Sequence, residues 1–236
     1  MLVNWNVAWR APKGPSARII KTRIAACEPD IICLTEADLA FPPSDGHVIS
    51  AVADYGYPLV HGRRKVLLWS RNPWRQIDSL GDQRLPSGRF VRGVTDTPVG
   101  PVTVMGICVP WSRAHVSNGR RDRKPWEDHL TYLRHLAPLL RRLEGPAIVT
   151  GDFNQRIPRV RGSADAQRLL LDALGSLDVA TRGTIPIDGE PTPRAAIDHV
   201  VHDRRLAATN VCGLSNHHDG RQLSDHFGVV VTLTEA

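Results

Sequence analysis

Acidic and amide side chains stand at or beside the ends of short apolar runs in four places along this 236-residue chain. Asn6 lies in the opening run, Glu36 follows DIICLT, Asp152 and Asn154 follow AIVTG, and Asp225 with His226 precedes FGVVV. Hard divalent cations prefer oxygen ligands, and Mg²⁺ commonly takes only one or two carboxylates while keeping several waters. Glu36 as ligand, with Asn6, Asp152 and Asp225 nearby, meets that demand. Taken singly, an acid or amide after a strand is a cap or turn former. Four such positions, two of them inside longer motifs, point instead to a metal-assisted centre. Residues i and i+2 of an extended segment share a face, which puts Asp152 and Asn154 together. The set suits phosphoryl transfer, which needs charge neutralised on the non-bridging oxygens, an in-line nucleophile and a stabilised leaving oxygen. A cation at Glu36 supplies Lewis acidity, Asp152 a base for water, and a protonated His226 a fixed positive donor.

The elements that must carry these residues are short apolar strands separated by polar loops and a few helices. Strands are expected over Leu2–Val7, Asp30–Thr35, Val66–Ser70, Arg89–Thr95 and Val102–Val109, with Pro110 stopping the last. Others are expected over Ala147–Thr150, Ala196–His202 and Phe227–Leu233. A helix is predicted over Ser16–Cys27, with Ser16 as N-cap and Ile19, Ile20, Ile24 and Ala25 as its apolar side. A second runs from about Pro125 to Leu143, with Gly145 beyond its end, and a third from Arg161 or Ala164 to Leu174. Many strands with helices outside them indicate a two-sheet α/β sandwich rather than a doubly wound parallel sheet.

Composition sets the bounds. Hydrophobic residues make up 42% and charged residues 23%, ordinary for a soluble globular protein. No stretch approaches the roughly 18 apolar residues of a membrane span. The N-terminus lacks the basic and apolar regions of a signal peptide, so the cytoplasm is the expected location. Cys27, Cys33, Cys108 and Cys212 form no CxxC and read as reduced thiols, with Cys33 and Cys108 in the core. A net charge of +6 favours polyanionic partners.

WNV at Trp5–Val7, LTE at Leu34–Glu36, GDFN at Gly151–Asn154, IDHV at Ile197–Val200 and SDH at Ser224–His226 resemble, in order, the signature of the endonuclease/exonuclease/phosphatase family. That resemblance implies one domain over residues 1–236. Its fold would be a four-layer α/β/β/α sandwich of two mixed, mostly antiparallel sheets flanked by helices. It implies a phosphoesterase using Mg²⁺, with Mn²⁺ as a substitute. Glu36, Asn6 and Asp225 inherit metal-site roles. Asp152 orients or deprotonates the attacking water, Asn154 contacts the phosphoryl oxygen, His226 binds the scissile phosphate and Asp198 orients a histidine or water. Two departures stand out. Cys108 occupies the place where many relatives carry a histidine or tyrosine near the leaving group, and Ala8 the place of a second acidic ligand in some nucleases.

Around Trp111–His129 the basic residues Arg113, Arg120, Arg121, Arg123 and Lys124 interleave with Trp111 and Trp126. Two readings stay open there: a track for a phosphate backbone with stacked bases, or a solvated loop anchored by its tryptophans. Trp111, Arg113, His115 and Arg156 are the candidate substrate contacts. Arg63, Arg64 and Lys65 read as a charged turn before a strand, and no exposed apolar hairpin is evident. Nucleic acid is thus the expected partner, with neither a membrane nor an obligate protein partner. The alternatives are a small-molecule or lipid phosphatase on the same scaffold, and an inactive scaffold that binds nucleic acid or protein.

Overall fold

The computed structural model describes residues 1–116 and 122–236. The chain opens with β1 (Leu2–Asn6), α1 (Pro15–Ala26), β2 (Ile31–Asp38), β3 (His47–Ser50) and β4 (Arg63–Ser70). Next come β5 (Arg75–Asp78), β6 (Phe90–Thr97), β7 (Gly100–Cys108), α2 (Glu127–Leu140), β8 (Ala147–Asp152) and α3 (Ala164–Leu174). Short strands β9 (Asp178–Val179), β10 (Thr184–Ile185), β11 (Ile187–Asp188) and β12 (Arg194–Ala195) lead to β13 (Asp198–His202) and β14 (Leu206–Leu214). β15 (His217–His218), β16 (Arg221–Gln222) and β17 (Gly228–Glu235) complete the order.

Two large sheets form, ordered β11-β14-β17-β1-β2-β4-β3 and β5-β6-β7-β8-β13-β9. Only the β1–β2, β7–β8 and β11–β14 pairings in these sheets are parallel, so both are mixed and mostly antiparallel. Strand alternation divides the apolar side chains between two faces. Leu2, Cys33, Val66, Leu68, Val229 and Val231 meet Val91, Val104, Ile148 and Val200 between the sheets. On the outer faces, Ala17, Ile20 and Ile24 of α1 pack on Val3, Trp5, Leu34 and Leu67. Tyr132, Leu133 and Leu136 of α2, with Leu170 of α3, cover Met105, Ile107, Val149 and Val201. The result is the expected α/β/β/α sandwich. A 12-residue helix such as α1 is marginal alone. Burying Ile20 and Ile24 contributes roughly 1.5–3 kcal/mol each and fixes it to the sheet.

Several boundaries differ from expectation. Gly14 caps α1, with Pro15 in its first turn, so Ser16 lies inside the helix. Ala25 is exposed. α2 starts at Glu127 and ends at Leu140, tolerating Pro138 inside it, and the chain then tightens through Arg142 N–Leu139 O and Leu143 N–Leu140 O. Arg63, Arg64 and Lys65 are not a turn but the first residues of β4. Glu36 lies within β2 rather than beyond it. Cys33 and Cys108 are buried and all four thiols are free, as expected.

Candidate active site

Register assembles the centre. β8 lies between β7 and β13, with Cys108 opposite Asp152 on one side and Asp198 opposite Asp152 on the other. Gly151 makes that strand end possible. Its φ is +140° and a Cβ there would lie 1.9 Å from the Ile107 carbonyl oxygen, so no side chain is tolerated. From the facing sheet, Asn4 Nδ2 donates to the Gly151 and His199 carbonyls at 3.0 and 3.3 Å, tying the two layers together under the site. The distal SDH segment is sewn to β1. Ser224 Oγ donates to the Asn6 carbonyl at 2.6 Å, and Trp5 Nε1 to the His226 carbonyl at 2.9 Å.

Asp152 is buried and held by amides alone. Asn154 N donates to Oδ1 at 2.9 Å, while Asn154 Nδ2 and Asn6 Nδ2 donate to Oδ2 at 3.0 and 3.2 Å. Burial, then the Asp198 charge, raise its carboxyl above the ordinary range, Glu36 adding to them. Beside it, His226 Nδ1 donates to Asp198 Oδ2 at 2.6 Å. Burial opposes a charge on this ring, but Asp198, with Asp152 and Asp225, outweighs it and lifts His226 to about 10. His226 is therefore an imidazolium at neutral pH.

Asn6, Asp152 and His226 line a cavity of about 550 Å³ together with Glu36, Lys65, Arg89, Cys108, Asn154 and Asp225, while Asp198 lines an adjoining groove. Lys65 Nζ meets Glu36 Oε1 at 2.6 Å. Arg89 is only 2% exposed, yet among the described residues no carboxylate pairs with it. It reaches the Cys108 and Tyr55 carbonyls only at 3.5 Å, and its Nε has no partner. Burial pushes the Cys108 thiol up to about 12, so it is a neutral wall. Ala8, Trp9, Glu36 and Asn154 all have φ between 47° and 57°. Left-handed backbone at non-glycine residues concentrates at functional sites, and here Trp9, Glu36 and Asn154 line the cavity.

The expected substrate contacts divide. Trp111 lines the cavity, and Arg156 lines an adjoining groove that shares Asp225 and His226. His115 lines a further groove, bordered by Asp54, Arg84 and Arg123, that shares Tyr57 and Pro58 with the cavity, and its Nδ1 accepts from Arg123 N at 3.2 Å. Arg113 is exposed and lines neither the cavity nor the Arg156 groove. Arg120 and Arg121 lie outside the described residues. Sequence reasoning missed Lys65 and Arg89. The usable signal was a cation directly abutting an apolar run, Lys65 before VLLWS and Arg89 before FV, since such a charge is seldom buried without a partner. It also missed the exposed run Tyr57, Leu59 and Val60 before β4, of which Tyr57 and Val60 line the cavity.

A family model described as the endonuclease/exonuclease/phosphatase family matches residues 3–226. The chain belongs to that family. Membership supports a hydrolase of phosphoester bonds, in a family that is metal-dependent in general. Among solved structures, an AP endonuclease from Archaeoglobus fulgidus is similar at 16% identity and TM-score 0.70 over 98% of both chains. A 3′-5′ exonuclease from Neisseria meningitidis gives 16% and 0.67 over 99% of both. D. rerio TDP2 complexed with single-strand DNA product gives 12% and 0.68, covering 99% of this chain and 98% of that one. At such identities the likeness establishes the fold. No curated protein matches the sequence.

The donor chemistry fits a hard cation. Asp152, Asp198 and Asp225 stand around His226, and Glu36 beside Lys65; among the described residues the buried Asp198 Oδ1 has no partner. Donor atoms of Asp152, Asp198 and His226 lie within 4.8 Å of one another. That trio is not the ligand set expected from sequence. His226 already binds Asp198 as a cation; across from it Glu36 Oε1 is held by Lys65 and Asn6 Oδ1 accepts from Ala8 N at 2.9 Å, which leaves Glu36 Oε2, the second lone pair of Asn6 Oδ1 and the Asp225 carboxylate to offer.

Proposed function

We propose that this protein is a Mg²⁺-assisted phosphodiesterase acting on nucleic acid. The observation that carries the reading is a buried Asp152 fixed by three amide donors, with an imidazolium–carboxylate pair beside it on the same cation-lined cavity. Glu36, Asn6 and Asp225 would hold the metal, which when bound supplies Lewis acidity toward phosphoryl oxygens. Asp152, its carboxyl raised by burial, takes the proton of the attacking water. Asn154 and Asn6 hold that carboxylate in one orientation. His226 presents a charged donor to a non-bridging phosphate oxygen, and Asp198 keeps it charged and aimed. Cys108, a buried neutral thiol, is a weak general acid and carries no positive charge, so Lys65 and Arg89, the neighbouring cations, stabilise the leaving oxygen. Arg156 receives the next phosphate in the adjoining groove. The DNA-processing neighbours support nucleic acid as the substrate class.

The test is hydrolysis of single-stranded, nicked and abasic DNA, RNA and simple phosphoesters with Mg²⁺ or Mn²⁺, against EDTA and Asp152→Ala controls. Cleavage of a nucleic acid requiring both metal and Asp152 is expected. Turnover confined to small phosphoesters would remove nucleic acid from the account. A lipid phosphoester is the second reading, favoured by the exposed Tyr57, Leu59 and Val60 near the cavity.

A further inference from the structure

One wall of the cavity takes no part in the chemistry above. The rings of Trp9, Tyr55 and Tyr57 form a chain with centroids 5.5 and 6.3 Å apart, and Trp111 lines the same space. The Tyr55 hydroxyl donates to the Pro58 carbonyl at 3.3 Å and fixes the turn that presents Tyr57. Trp9 is already committed, because Arg63 and Lys65 lie 5.0 and 5.1 Å from its ring centre. Tyr57, which meets Tyr55 in this chain of rings, and Trp111 carry no cation over their rings among the described residues and remain 38% and 51% exposed.

Flat apolar rings beside Arg63, Lys65 and Arg89, next to the candidate reaction centre, complement a nucleotide: rings for the base, cations for the phosphate. We infer that Tyr57 and Trp111 form a stacking subsite for an unpaired base adjoining the scissile phosphate. The substrate is then a single strand or a frayed end rather than the interior of a duplex. This rests on the nucleic-acid reading above and sharpens it. A base inside a duplex is already stacked and must be taken out of the helix before it meets these rings. The cavity, about 550 Å³, falls in the range of small-ligand pockets and is large enough for a nucleotide unit. Val60 in the same cavity wall, with Leu59 beside it, would also suit a lipid surface. The base is favoured because both rings line the cavity itself, together with its cations.

The experiment compares a single-stranded oligonucleotide, the same strand with base-free tetrahydrofuran residues, and a blunt duplex, all with Mg²⁺. The proteins are the wild type, Tyr57→Ala, Trp111→Ala, and Tyr57→Phe and Trp111→Phe as ring-keeping controls. For the wild type, KM for the base-free strand should exceed that for the base-bearing strand about tenfold. This ratio should fall toward one in the alanine variants and survive in the phenylalanine variants. The normal strand should also quench tryptophan fluorescence without metal, and less so in Trp111→Phe. Equal KM for the two strands in the wild type, with cleavage intact, would overturn the subsite while leaving the phosphodiesterase reading standing. No cleavage of any strand would defeat that reading, and the quenching would then decide the subsite by itself. Loss of co-sedimentation with phosphatidylcholine/phosphatidylglycerol vesicles in the alanine variants, with strand binding unaltered, would overturn it in favour of a lipid surface.

Discussion

Asp152 hydrogen-bonds to amides alone, and burial with the Asp198 charge outweighs the opposing His226 charge in raising its carboxyl. Lys65, across the cavity, spends its charge on Glu36. Replacing Lys65 by Met frees that carboxylate oxygen and removes a positive charge. Mg²⁺ binding measured by calorimetry should tighten several-fold while kcat falls by about 10–100-fold. An unchanged Mg²⁺ affinity would show that Glu36 is not shared. Asp198 tests another link. His226 is held at about 10, so its charge is present below that pH and is lost as pH rises through it. In Asp198→Asn the first attractive partner is gone, and activity should decline from near pH 7 instead of persisting into the alkaline range. A pH–rate profile that keeps its alkaline limit would remove Asp198 from the role of holding the proton on His226.

Strand ends, more than loops, build this centre. The pairing of β8 with β7 and β13 sets Cys108, Asp152 and Asp198 side by side. Gly151→Ala should therefore cost stability on the order of 3 kcal/mol or more, since it forces both a forbidden φ and a clash with Ile107. Chemical denaturation would show it as a lower midpoint, and a midpoint equal to the wild type would contradict the geometry. Much of this was legible in sequence. Apolar runs ending in Asn, Glu and Asp mark strands that converge on one site, and WNV and SDH are tied together as their shared motif order suggests. The left-handed turn that carries Glu36 inside β2 was not legible, because an acid after an apolar run looks the same whether the ladder continues or stops. Nor was the place of Arg63–Lys65 in β4. Propensity assigns three consecutive cations to a turn, and only pairing with β2 and the Glu36 carboxylate overrides it. Gly14 displaced Ser16 as the cap because Pro15 already fixes the first helical φ.

The two-sheet sandwich buries ionisable groups that it must keep neutral. His129 sits between the Pro110 carbonyl and Gln155, and His199 between Thr181 and the Gln155 carbonyl, behind the reaction centre. Burial lowers both to about 4. An unfolded histidine takes its proton near pH 6.5, so the stability these residues carry is present above that pH. It is lost as pH falls from 6.5 to about 4, by at most on the order of 3 kcal/mol each. The raised Asp152 carboxyl works in the opposite direction, which makes Asp152→Asn the cleaner sample. Its urea midpoint should fall across that interval, and a flat midpoint would show the histidines to be protonated in place. The central claim is that a water prepared by Asp152 attacks phosphorus. It is tested most directly by hydrolysing a single-stranded oligonucleotide with Mg²⁺ in ¹⁸O-water and locating the label. One ¹⁸O in the phosphate product of the wild type is predicted, with a rate at least about 10²-fold lower in Asp152→Asn. Label in the released alcohol, or an undiminished rate in the variant, would contradict it.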